Sequence, residues 1–110
     1  LRAMDKIAGM VAAPTFFIFS DEVEWCQDHL VSRYPTQIVS REYAGGKFQD
    51  YLKLMALCKH YIIPNSTFAW WGAWLNPSRD KIVVSPRQWI RHPWYRWYNN
   101  SITPKSWIKL

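Results

Sequence analysis

Acidic side chains are almost missing from the second half of this 110-residue chain: Asp80 stands alone among residues 51–110, against nine lysines and arginines. The first half has seven acids and five basic residues, so the formal net charge of +6 divides into −2 in residues 1–50 and +8 in residues 51–110. Glycine is scarce, at four, and no GxGxxG, P-loop or Gly-x-Ser-x-Gly string occurs. That excludes the common dehydrogenase, kinase and hydrolase signatures. Cysteine is limited to Cys26 and Cys58, 32 positions apart and without metal-type spacing. Free thiols are expected, and redox chemistry is not. Long apolar runs are lacking too. The longest, Val11 to Phe19, contains Pro14 and is far short of the ~20 residues a bilayer span requires. The opening LRAMDK lacks the order of a secretory signal, which leaves the compartment open. Charged residues make up only 20% and hydrophobic ones 49%, which excludes extended disorder and fits one domain, with no room for a second complete one.

What is present in quantity is tryptophan. Seven of the eight lie in the cationic half, and basic plus aromatic composition suits a phosphate-bearing ligand with a flat ring, either nucleotide or nucleic acid. Composition leaves that choice open.

Along the chain, Met4, Ile7, Ala8 and Val11 fall at helical spacing, and Ala12-Ala13-Pro14 is expected to stop that helix. Thr15 to Phe19 reads as a strand buried on both faces. Asp21 with Glu24 predicts a capping box for a helix to about Leu30, striped by Val23, Cys26 and Leu30. Gln37-Ile38-Val39 is a short strand, and Ala44-Gly45-Gly46 a flexible loop. Helical spacing returns from Lys47 to Lys59, followed by a strand at His60–Ile63 and a turn at Pro64-Asn65-Ser66. Phe68 to Leu75 predicts an apolar helix with a stripe of small residues at Ala69, Gly72 and Ala73. Lys81–Val84 is the last predicted strand, and Arg87–Leu110 reads as irregular. The alternation implies an α/β fold with a parallel sheet, whose ligands gather at the carboxyl ends of its strands.

Those ends carry Asn65-Ser66-Thr67 and Ser20-Asp21-Glu22. The first opens a helix, where free N–H groups and the helix dipole favour an anion; the hydroxyls of Ser66 and Thr67 add donors, and Lys59 or a tail arginine adds charge. A plain N-cap accounts for Asn65 or Ser66 equally well. The triplet also spells a glycosylation acceptor, though a turn tucked under an apolar helix suits one poorly. The acids of the second turn suit sugar hydroxyls or a base, while the capping box explains Asp21 without a ligand. Asp50, at a helix start, similarly suits the dipole. His29, His60 and His92 have no zinc spacing, so no metal is expected. Trp70, Trp71 and Trp74 read as core. Trp89, Trp94, Tyr95, Trp97 and Tyr98, with Arg87, Arg91 and Arg96, suit either a lid over the core or a platform for bases and sugars.

Three strings then stand together: PTFFIFSDEVEW at 14–25, DYLKLMALCKH at 50–60 and IIPNSTFAWWGAWL at 62–75. With the ending NSITPKSWIKL at 100–110, they resemble the C-terminal region of the alpha-1,2-fucosyltransferases of glycosyltransferase family 11. The resemblance covers nearly the whole chain and implies that Leu110 is a native end. It implies an inverting enzyme of the GT-B type that transfers fucose from GDP-fucose to a galactose-terminated acceptor. Residues 1–110 would be most of its Rossmann-like donor lobe, as a single domain lacking the acceptor lobe and the first donor-lobe strand.

Carried over by position, Asn65, Ser66 and Thr67 line the donor diphosphate and fucose, Asp50 takes the guanine edge, and Asp21 lies by the ribose or base. No cofactor or metal is implied. If the source is bacterial, the place is the cytoplasm or the periphery of the inner membrane.

Departures from the family pattern are Glu22 for a second aspartate, Pro64 for a small residue and Ala69 for serine. The family's His-x-Arg-Arg-x-Asp string is absent, and Arg91-His92-Pro93 has the wrong order to replace it. A fragment inactive alone is therefore expected, with an exposed sheet edge through which it dimerises. The competing classes are a stand-alone nucleotide- or carbohydrate-binding module and, resting on charge alone, a basic single-stranded nucleic-acid binder.

Overall fold

The computed structural model describes residues 1–95 and 97–110. It forms two compact units, Leu1–Met55 and Ala56–Leu110. No described helix is long and apolar enough to cross a membrane.

In the first unit, α1 (Arg2–Ala8) buries Met4 and Ile7, as their spacing predicts, but it ends at Gly9, ahead of the expected stop. Strands β1 (Phe16–Phe19) and β2 (Thr36–Val39) pair in parallel, Phe16 opposite Thr36 through Phe19 opposite Val39, with α2 (Val23–His29) as the crossover. The expectation that β1 is buried on both faces fails, since Phe17 is 49% exposed. Two strands and one short crossover helix do not supply two covering layers. The predicted capping box also fails. Glu22 is the N-cap of α2 and makes no side-chain cap, its N–H donates to Ser20 Oγ, and the Asp21 carboxylate is held by Arg41 instead.

A 3₁₀ turn at Arg41–Ala44 replaces the start of the expected flexible loop. Gly45 and Gly46 follow it at φ 59° and 74°, a left-handed backbone that glycine adopts without a steric cost. Helix α3 (Phe48–Ala56) then buries Tyr51 and Met55. Tyr51 ties the helix to both strands: its hydroxyl donates to the Val39 carbonyl at 2.9 Å, and its ring meets Phe19 edge-on at 5.3 Å.

The second unit is built on β3 (Tyr61–Ile62), β4 (Val83–Ser85) and β5 (Ile108–Lys109), a parallel sheet in the order β3-β4-β5. Central β4 is the most buried element, with Val83, Val84 and Ser85 at 2% exposure or less. Burying each valine contributes about 1.5–3 kcal/mol of transfer free energy. The expectation of an irregular tail is corrected at both its middle and its end. A 3₁₀ turn (Pro93–Tyr95) and the short α5 (Tyr98–Ser101) interrupt it, and β5 completes the sheet, extended by Arg87 N–H to the Leu110 carbonyl and Leu110 N–H to the Ser85 carbonyl.

Helix α4 (Thr67–Leu75) connects β3 to β4 and buries Ala69, Gly72 and Ala73, the predicted small-residue stripe. Both cysteines are free, Cys26 buried and Cys58 half-buried. The chain is thus a mixed α/β structure with short parallel sheets.

Candidate functional site

The turn from β3 to α4 carries Asn65, Ser66 and Thr67. Ser66 has an extended backbone (φ −145°, ψ 125°), its carbonyl accepts from Trp70 N–H at 3.0 Å, and its hydroxyl accepts from Ala69 N–H at 3.4 Å. It is therefore the N-cap of α4, as the sequence allows, through a long hydrogen bond. Asn65 and Thr67 flank it, both exposed. The Asn65 side-chain nitrogen donates to the Trp89 carbonyl, which leaves its oxygen as the group free to turn elsewhere.

A cavity of about 680 Å³ lies at this turn. It is lined by Asn65, Ser66 and Thr67 with Trp70 and Trp71 of α4, and by Trp89, Ile90 and Ile102 of the tail. Its size suits a drug- or nucleotide-sized ligand. No carboxylate or imidazole is in this lining, while the first turn of α4 presents N–H groups and the positive end of a dipole. The arrangement suits an anion beside an aromatic surface, and the described lining residues include no general base.

The aromatic wall corrects an expectation. Trp70, Trp71 and Trp74 read as core, yet Trp71 and Trp74 are each 50% exposed and Trp70 and Trp71 line the cavity. Only the small-residue stripe of α4 is buried, so its wide rings are left on the outer faces. Trp70 is fixed in place. Its indole N–H donates to the Ile102 carbonyl at 2.9 Å, and its ring stacks on Trp74 at 5.1 Å and tilts against Trp107 at 5.8 Å.

The tail aromatics differ in burial. Trp89 is buried at 7% exposure, whereas Trp94 and Trp97 are exposed at 82% and 65%. Arg87 and Arg91 are exposed as well, and Arg96 lies outside the described residues.

Asp21 and Asp50 belong to the first unit. Asp21 follows the carboxyl end of β1 and is paired with Arg41. Asp50 is in the first turn of α3 and accepts from Lys53 Nζ at 3.1 Å, an ordinary i,i+3 surface pair. The histidines are dispersed: His29 stacks on Trp25 at 4.8 Å, His60 Nδ1 accepts from Ile82 N–H at 3.0 Å, and His92 meets Tyr95. Among the described residues no cluster of His, Cys, Asp and Glu could hold a metal ion.

Two asparagines are buried: Asn76, which the sequence marks only as the close of α4, and Asn99. Asn76 and Asn99 are each 8% exposed and bind backbone groups through their side chains. Asn-Pro after an apolar helix hints at the first; no local signal marks the second.

The family model described as Glycosyl transferase family 11 matches residues 1–110. An O-antigen biosynthesis glycosyltransferase, WbnK, of Escherichia coli is 37% identical over 110 residues, covering 99% of this chain and 34% of that protein. An alpha-1,2-colitosyltransferase of E. coli is 33% identical over 100 residues, 86% of this chain and 32% of that protein. The mouse galactoside 2-alpha-L-fucosyltransferase Sec1 is 29% identical over 75 residues, 67% of this chain and 20% of that protein. The chain thus spans about a third or less of the length of these relatives. No solved structure matches it significantly.

Proposed function

The chain belongs to glycosyl transferase family 11, and from that premise we propose that it is the nucleotide-sugar-binding part of an inverting alpha-1,2-fucosyltransferase of the GT-B type. The parent transfers fucose from GDP-fucose to a terminal galactoside. The observation that carries this reading is the cavity at the β3–α4 turn, where a helix N-terminus and two hydroxyls stand beside a tryptophan wall. A diphosphate suits the N–H groups of α4, with Ser66 and Thr67 as added donors, and a ring suits Trp70 and Trp71.

Asp50 takes the guanine edge in this reading, exchanging Lys53 for the base, and Asp21 lies toward the ribose or base. The described lining holds no carboxylate or imidazole, so the base that deprotonates the acceptor hydroxyl comes from outside this lining; without the family's His-x-Arg-Arg-x-Asp string, residues 1–110 bind donor without turning it over. No metal is assigned a role.

The colitosyltransferase relative favours one second reading, a donor carrying colitose in place of fucose. The two sugars differ by the 3-hydroxyl, so a preference between their nucleotides separates the readings.

Calorimetric titration of the purified chain with GDP-fucose, GDP and UDP tests the proposal. GDP-selective binding is expected, weakened at least tenfold by Ser66→Ala and losing its preference for guanine in Asp50→Ala. Equal binding of UDP, or binding indifferent to Ser66→Ala, overturns the assignment. Indifference to GDP with steeply salt-dependent binding of single-stranded nucleic acid establishes the competing class.

A further inference from the structure

The tail wall of the cavity is irregular chain, so something other than a ladder must hold its backbone. At Trp89-Ile90, side-chain amides do so. Asn99 Oδ1 accepts from Trp89 N–H at 2.8 Å and Ile90 N–H at 2.9 Å, and its Nδ2 donates to the Ile90 carbonyl at 3.1 Å. The fourth main-chain polar group, the Trp89 carbonyl, accepts from Asn65 of the β3–α4 turn. Asn99 is buried and comes from α5, and it is not itself among the described residues that line the cavity.

From this chain of contacts we infer that Asn99 is a positioning residue of the site: it fixes Trp89 and Ile90, and through Trp89 the Asn65 turn, at the separation the ligand requires. The inference rests on the reading of this cavity as the donor site. Removing the Asn99 side chain leaves two N–H groups unpaired beside a buried indole, which is costly. The segment relieves that cost by moving toward water, and the wall and the Asn65 contact move with it.

A purely structural asparagine provides the control. Asn76 has the same 8% exposure and lies in the same unit, and its side-chain nitrogen contacts Ala56, Cys58 and Tyr61, none of which lines the cavity. The test is amide NMR on the 110-residue chain and its Asn99→Ala and Asn76→Ala variants, with and without GDP, at a temperature where all are folded. Asn99→Ala is expected to shift the amides of residues 65–67 and weaken GDP at least tenfold; Asn76→Ala should leave those amides in place and GDP affinity within twofold.

If Asn99→Ala does not fold, Asn99→Ser, whose shorter hydroxyl reaches one N–H at most, is read the same way. Unmoved amides at 65–67 and unchanged affinity in a folded Asn99 variant overturn the inference, as does an equal loss in Asn76→Ala. A wild-type chain that ignores GDP overturns the donor reading instead, and the 65–67 amide shifts alone then decide for or against Asn99.

Discussion

The side-chain amide of Asn76 donates to the hydroxyl of Tyr61 at 2.9 Å, and both groups reach the carbonyls of Ala56 and Cys58. Asn76 Oδ1 also accepts from Ser78 N–H at 2.8 Å, so one buried amide closes the end of α4 onto the link between Ala56 and β3. These contacts leave few of its hydrogen-bonding atoms unpaired, and they make the network costly to break.

Asn76→Ala is accordingly expected to destabilise the second unit by about 2–3 kcal/mol, because buried carbonyls lose a donor. Tyr61→Phe, which keeps the ring, should cost about 1 kcal/mol. Urea unfolding followed by tryptophan fluorescence checks both. Equal effects from the two substitutions would show that the hydroxyl, not the amide, organises the link.

In the first unit, Asp5 accepts from the Tyr34 hydroxyl at 2.8 Å and from Arg33 at 2.7 Å. The Tyr34 hydrogen bond and then the Arg33 contact hold its carboxyl below the ordinary value of 3.8. A depressed carboxyl contributes stability that is present above the unfolded value and lost as pH falls through the folded one. The thermal midpoint should therefore fall more steeply below about pH 4 in the wild type than in Tyr34→Phe, with the two curves parallel near neutrality. Parallel curves across the acid range would remove Asp5 from the account.

Burial raises the Cys58 thiol above its ordinary value of 9.0, and Cys26 is enclosed at 6% exposure. Thiolate, the reactive form, is thus scarce at Cys58 near neutral pH, while burial alone shields Cys26 from a reagent. Both cysteines should react slowly with a thiol reagent at pH 8 in the folded chain and at the free-thiol rate in urea. Rapid native labelling of Cys58 would show that its surroundings open.

What was legible in the sequence was local. The turn to α4 could be read because an apolar strand, a Ser at the cap position and a small-residue stripe all fall within fifteen residues. The capping box at Asp21 was misread because its competitor, Arg41, is twenty positions away and wins the carboxylate only once β1 and β2 have paired. Strand β5 was hidden for the same reason: Ile108 meets Val84 through a long-range register, in a stretch whose Trp and Pro content suggests irregular chain. The tail half of the cavity depends on Asn99, and an asparagine clamp leaves no periodicity to detect.

The place of β5 has a bearing on synthesis. A nascent chain that has delivered β3, α4 and β4 but not residue 108 holds the most buried strand of the unit with one edge unpaired. Such an edge is a template for another chain. Slow translation through the tryptophan-rich stretch before Ile108 would lengthen that interval, and a chaperone or a ribosome-proximal delay would have most to protect there.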